Sequence, residues 1–362
     1  MIDFRYHVVS IVAIFLALTV GLVIGASILS KGVADSLRSD LSQRNDQINN
    51  QQNQIKQLET QIDQQNKYIS ATADALVSDR LIGQCVALVQ LPGADDGAYS
   101  AVRSMVQKQA GASICSDTTI NAALTAASSQ DQLTALVKEH TPTGEKLTGP
   151  IADQASELIA EALTTYETVG TVAETTPTAS ATPTVGSTST KPAGSTTAPV
   201  GSSTSPASTN TSTAVTGTMT GSQALATLKD FENAGMITAT TLPVQGEVAT
   251  LAYLQAPTTP NDDSDNQAYL ALAESLRKGG ASPVVGGSAQ SSDKNGLVYA
   301  VINDATATRE ISTVDDTDVT MGQVASVFCL YDQSQGGTTV AGHYGTGADN
   351  DGPIPPITAG LG

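Results

Sequence analysis

The sequence predicts an α/β protein preceded by a single N-terminal transmembrane helix and a parallel coiled coil, with a mainly parallel sheet and a disordered insert in the α/β domain. Three observations lead there: an uncharged apolar run near the start, an apolar residue at every seventh position after it, and short apolar runs alternating with helical periods downstream. The average composition hides this division. Over 362 residues only 14% are charged, 4% are aromatic and none is Trp, which is odd for one globular unit and natural for a sum of unlike segments.

Residues 1–7 form a short start, and residues 8–29 carry no charge from Val8 to Leu29. A run of about 22 residues spans a ~30 Å hydrocarbon core at 1.5 Å per residue, and it exceeds the apolar stretch of a cleaved signal peptide. Ala13, Ala17, Gly21 and Gly25 recur every fourth residue, so Ala17, Gly21 and Gly25 lie on a small-residue ridge where a second copy could approach closely. The basic residues point two ways. Arg5 precedes the span, whereas Lys31, Arg38 and Arg44 follow it, and that count alone would leave the bulk of the chain in the cytoplasm.

Residues 33–81 read as a coiled coil. Leu41, Ile48, Ile55, Ile62, Ile69 and Leu76 fall seven apart, the period of a left-handed supercoil with these side chains at position a. Position d is mostly polar, Leu58 being the main exception. Such a seam is weak by itself and gains from a paired membrane helix beside it, which makes the second association intramolecular. A homodimer follows, with membrane lipid as the other neighbour of the first segment.

Residues 84–170 and 222–344 carry the α/β pattern. Cys85–Leu91 reads as a buried strand, Tyr99–Ala110 as an amphipathic helix that Gly111 stops, and Ala112–Cys115 as a second strand, a βαβ beginning. Helical periods follow near Asn121–Glu139 and Ile151–Thr168. Later come a helix at Gln223–Ala234, a strand at Val248–Gln255, a helix at Asn266–Lys278, strands at Pro283–Gly286 and Leu297–Asn303, and a helix at Met321–Asp332. Between the halves, residues 171–221 are almost wholly Thr, Ser, Ala, Pro, Gly and Val, too poor in apolar bulk to offset their ordering entropy. Ser/Thr with Pro is the composition of stalks outside the cell, which argues for an extracytoplasmic domain against the basic-residue count. Residues 345–362 are rich in Gly and Pro and read as a flexible tail.

Chemistry is sparse. A net charge of -18 opposes nucleic acid as a partner, since polyanion binding needs clustered Lys and Arg. The loops at Gly93–Gly97 and Gly286–Ser288 lack a phosphate-cradling spacing, and Asp262, Asp263, Asp265, Asp315, Asp316 and Asp318 have the surroundings of caps and loops. His7, His140 and His343 fall in no ligand motif, nor do the cysteines. Cys85 and Cys115 sit on neighbouring strands and could form a disulfide or remain as buried thiols; Cys85, Cys115 and Cys329 together are the candidate Cu(I) ligands. No catalytic residue, no enzymatic activity and no resident cofactor are expected.

Three stretches nevertheless carry a resemblance: Phe4–Gly25, the turn Leu91-Pro92-Gly93-Ala94, and the late set Ser312–Asp316, Gly322–Val327 and Gly342–Gly345. As a set they resemble the actinobacterial MctB family, named for mycobacterial copper transport protein B and including SteB-type cell-separation proteins. The resemblance implies an envelope protein, anchored in the cell membrane by a single pass, with a short cytoplasmic start and an extracytoplasmic domain. It also implies copper homeostasis or copper transport, with copper as the alternative to no cofactor, and a channel in the outer membrane that one span and α/β alternation do not suit. The SteB-like reading makes the chain a non-enzymatic scaffold or regulator of cell separation that recruits or activates an NlpC/P60 peptidoglycan hydrolase beside a membrane co-partner. Anchor, rod and insert favour this second reading.

Overall fold

The computed structural model describes residues 4–165, 219–243, 248–335, 341–347 and 350–356. The chain divides into two units, Met1–Tyr68 and Ile69–Gly362. A single helix, α1 (Phe4–Val77), accounts for the described part of the first and reaches into the second. Within α1, Tyr6–Gly25 has a mean hydropathy of 2.8 and is fully exposed, the one helix among the described residues long and apolar enough to cross a bilayer.

The second unit is built on a seven-stranded sheet in the order β3-β2-β1-β4-β5-β6-β7. Its elements after α1 are β1 (Cys85–Gln90), α2 (Asp96–Ser104), β2 (Ser113–Ile120), α3 (Gln130–His140), α4 (Ile151–Thr164), α5 (Gly221–Asn233), β3 (Ile237–Thr241), β4 (Leu251–Gln255) and α6 (Asp263–Lys278). Then come β5 (Ser282–Gly286), α7 (Leu297–Asn303), α8 (Ala307–Glu310), β6 (Ser312–Val314), α9 (Thr320–Ser334) and β7 (His343–Tyr344). All neighbours run parallel except β3, which pairs antiparallel with β2.

Side chains alternate across a strand, and β1 sends them into two cores. Ala87, Val89 and Leu91 join the core beneath α4, α5, α6 and α7. Val86 and Leu88 join the opposite one with Val102 of α2 and Val324, Val327 and Phe328 of α9. Both faces are thus dry, as parallel sheets require. The second core also takes Ala73 and Val77 from the end of α1. Here the heptad reading is corrected: α1 stops at Val77, Leu76 packs on this unit's own core, and Ile69 is half-buried. Leu81, the last residue of the expected coiled coil, is fully buried in that same core.

Leu297–Asn303 is a second correction, a helix instead of a strand. Seven apolar-rich residues satisfy either period; Leu297, Val298 and Val301 are buried while Tyr299 faces out, which is a helical face. The insert, residues 171–221, lies outside the described residues except for its last three, and these are ordered. Met219 is buried and Thr220 closes a capping box on Gln223 at the start of α5. The tail is tied down as well. Thr346, Gly347 and Asn350 hydrogen-bond Asp315, and Ile354 packs on the second core; residues 357–362 are not described.

Cys85 and Cys115 are joined by a disulfide, with Cα atoms 5.6 Å apart. The register of β1 on β2 skips from Ile114 to Ser116, so Cys115 is the extra residue of a bulge, and the bulge turns it toward the same core as Cys85. Closing a loop with a sequence separation of 30 removes unfolded-chain entropy worth about 3–4 kcal/mol. Replacing both cysteines by serine is expected to lower the unfolding free energy by about 3 kcal/mol, read as the shift of a urea transition against the oxidised wild type.

Candidate metal centre

The loops at the C-terminal ends of the parallel strands are where α/β proteins usually bind ligands; those after β1 and β4 are bonded to each other, while a cavity of about 280 Å³ lined by Ser292, Asp293, Asn303 and Asn350 lies between the loops after β5 and β7. Between β1 and β4, Ala94 bridges Pro257, and the carbonyl of Gly93 accepts from both the backbone and the hydroxyl of Thr258. The start of α2 is capped by Asp95, which accepts from the Ala98 amide at 2.6 Å, so a carboxylate already occupies the place a phosphate would take. Further along, Tyr253 donates to Gln255, Gln255 donates to Thr317, and Thr317 donates to the Gly287 carbonyl. These residues are buried and satisfied. Asp117 of β2 likewise accepts from Tyr99 and pairs with Arg103 at 2.7 Å.

The late motif residues converge on two neighbouring aspartates after β6. Asp315, fully buried, accepts from the amides of Thr346 and Gly347 and from the side chain of Asn350, at 2.8–2.9 Å. A Cβ at Gly345 would collide with its carboxylate, and one at Gly322 would collide with the backbone of Asp316. The motif therefore encodes a close approach of β6, α9 and the chain after β7, and its role is structural. Asp262 stands at the N-cap of α6 with Asp263 and Asp265 in its first turn, which is helix-dipole chemistry.

Asp316 differs. It is 4% exposed, and neither carboxylate oxygen has a hydrogen-bond partner. Burial foremost, then the charges of Asp315 and Asp318, pushes its pKa from the usual carboxylate range up to about 7. With the folded pKa above the unfolded one, its contribution is full below pH ~4 and is lost as pH rises through about 7. Asp316→Asn is expected to raise the melting temperature at pH 8 by about 2–4 °C and to leave it nearly unchanged at pH 4, measured by thermal denaturation at both values.

The three cysteines do not assemble. Cys85 and Cys115 are consumed by their disulfide in one core, whereas Cys329 lies on α9 in the core across the sheet. Burial holds the Cys329 thiol well above its ordinary pKa, so it stays protonated and is a poor metal ligand. The Cu(I) trio is thereby corrected: strand alternation and an intervening sheet keep the sulfurs apart.

One cluster of metal-binding donors does assemble among the described residues, and spacing gave no sign of it. Glu139, His140 and Asp230 each offer an atom within 4.8 Å of the others. His140 is the last residue of α3, and Asp230 sits on α5, which packs beside it in the first core. The His140 Nε2 lies 3.2 Å from an Asp230 oxygen yet makes no geometrically proper hydrogen bond. Its Nδ1 is 3.1 Å from the Thr227 hydroxyl, and that hydroxyl donates to the Met219 sulfur at 3.7 Å. The Phe231 ring flanks the imidazole, centroids 6.3 Å apart. In the sequence the only trace is a Glu-His pair ending an amphipathic helix, and its partner Asp230 lies beyond the insert.

The architecture is that of a doubly wound α/β domain carried by a chain whose N-terminal helix can cross a bilayer, which defines a membrane-associated α/β protein. Within that class, the family described as copper transport outer membrane protein, MctB, matches residues 1–355, and the chain belongs to the MctB family. Proteins named copper transporter MctB from Mycobacterium tuberculosis (strain CDC 1551 / Oshkosh) and Mycobacterium bovis (strain ATCC BAA-935 / AF2122/97) are 27% identical over 353 residues, covering 96% of this chain and 97% of theirs. One of the same name from Mycobacterium leprae (strain TN) is 28% identical over 158 residues, 43% of this chain and 50% of that protein.

Proposed function

We propose that this chain is a single-pass, non-catalytic envelope protein that handles copper, with its α/β domain outside the cytoplasm. The observation that carries the reading is the alignment with proteins named as copper transporters over nearly the whole chain. The Cys85–Cys115 disulfide supports an oxidising compartment for the domain. One apolar helix cannot enclose a pore, so passage of an ion through the bilayer would fall to an assembly, and the role of this chain is to bind or deliver the metal.

The assembly begins with a homodimer. Leu41, Ile48, Ile55, Leu58 and Ile62 are 50–60% exposed along α1, an apolar stripe that a parallel second copy would cover in the way the heptad period specifies. Ala17, Gly21 and Gly25 extend that contact through the membrane; a Cβ at Gly21 or Gly25 would meet nothing within 4 Å. The same exposed stripe favours a second reading, the SteB-like scaffold that positions a peptidoglycan hydrolase. Copper handling is the better supported of the two, because the relatives carry that name.

A deletion strain is expected to be copper-sensitive with normally separated cells; chained cells at unchanged copper tolerance would reverse the order of the two readings. Changing Ile48, Ile55 and Ile62 together to Asp is expected to shift the full-length protein in detergent from dimer to monomer, measured by light scattering, while the α/β unit keeps its melting temperature.

A further inference from the structure

We propose that Glu139, His140 and Asp230 form an exchangeable site for a borderline divalent cation, Cu(II) above all, held at the junction of α3 and α5. The inference deepens the copper reading and rests on it for the identity of the metal in the cell. The first support is the tautomer. The Thr227 hydroxyl is within hydrogen-bonding reach of both the Met219 sulfur and the His140 Nδ1; when it donates to the sulfur, its oxygen accepts from a proton on Nδ1. Nε2 then presents a lone pair toward the carboxylates.

In that tautomer a lone pair stands 3.2 Å from a carboxylate oxygen, and a cation between them makes the contact attractive, as a proton on Nε2 does when no metal is bound. Nε2 is buried without a proper hydrogen bond, and the imidazole is 10% exposed, so a donor atom aimed at the carboxylates is free to take an ion. An outer hydrogen bond that fixes the ring while the other nitrogen faces the metal is the usual arrangement at histidine sites. The C-terminus of α3 adds its own preference for positive charge.

The donors also select the ion. One imidazole and two carboxylates suit divalent first-row metals, among which Cu(II) binds most tightly, and they suit Cu(I) poorly. Glu139 is exposed and Asp230 half-buried, so water completes the coordination and the ion can leave.

The test uses the full-length chain in zwitterionic nanodiscs, in a His7→Ala background that removes the exposed imidazole at the other end of the chain. Titration with copper(II) chloride against a glycine competitor, followed by electron paramagnetic resonance, is expected to show one Cu(II) equivalent with nitrogen hyperfine coupling. His140→Ala is expected to abolish that signal, and Glu139→Gln or Asp230→Asn to weaken binding about tenfold or more, with Zn(II) binding more weakly than Cu(II) throughout. Thr227→Val keeps the shape of the positioning residue and is expected to weaken binding about tenfold at an unchanged melting temperature. An unaltered signal in His140→Ala, or none in the parent, would overturn the site. Copper sensitivity of the deletion strain without a His140-dependent signal would end the site and leave the copper reading. A His140-dependent signal with unchanged copper tolerance would do the reverse.

Discussion

Everything in the α/β unit depends on β1 being buried on both faces. A strand that sends Val86 and Leu88 one way and Ala87 and Val89 the other, with only its two end residues part-exposed, needs helices on both sides of the sheet and connections that wind in both directions from it. The central position of β1, with β2 on one side and β4 on the other, follows from that demand. The disulfide at its first residue then fixes the β1–β2 pair at the bulge, where the parallel ladder is weakest.

This two-faced burial is also what the sequence makes legible. Continuous apolar runs at Cys85–Gln90 and Leu251–Gln255, separated by amphipathic periods, can hardly be anything but interior strands. Legibility fails where one local pattern serves two structures. Leu297–Asn303 is as apolar as a strand and as short as one, and only its burial on a helical face decides the matter. β6, with three residues, is too short to have a period at all. The Gly-rich end of the chain reads as loose because glycine removes local order, yet its glycines at 345 and 347 are needed for close packing on Asp315, a constraint set by a residue some thirty positions away.

The proposed metal site is illegible in the sequence for the same reason in stronger form. His140 precedes the Ser/Thr/Pro tract and Asp230 follows it, so no spacing rule links them. What links them is packing: the Met219 amide donates to Glu161 of α4 at 2.9 Å, fixing where the chain re-enters the fold, and Thr220 starts α5 at once. Thr227 and Asp230, three apart on α5, then share a face and meet α3. The residues that flank the tract, Leu163 and Met219, are both buried in the first core, so the junction is fixed on either side of it.

The oxidation state of the protein's sulfur and the hardness of the proposed ligands Glu139, His140 and Asp230 point the same way. A chain meant to hold Cu(I) keeps thiolates or thioethers free and adjacent, whereas here two thiols are bonded to each other, the third is buried across the sheet, and the Met219 thioether faces a hydroxyl. Disulfides persist where the surroundings are oxidising, and under such conditions copper is found as Cu(II), an ion that imidazole and carboxylate suit. The site at α3 and α5 and the bond between β1 and β2 share no residue and lie on separate elements. Each is chemically consistent with the proposed placement of the domain outside the cytoplasm, where the copper it would meet is the divalent ion.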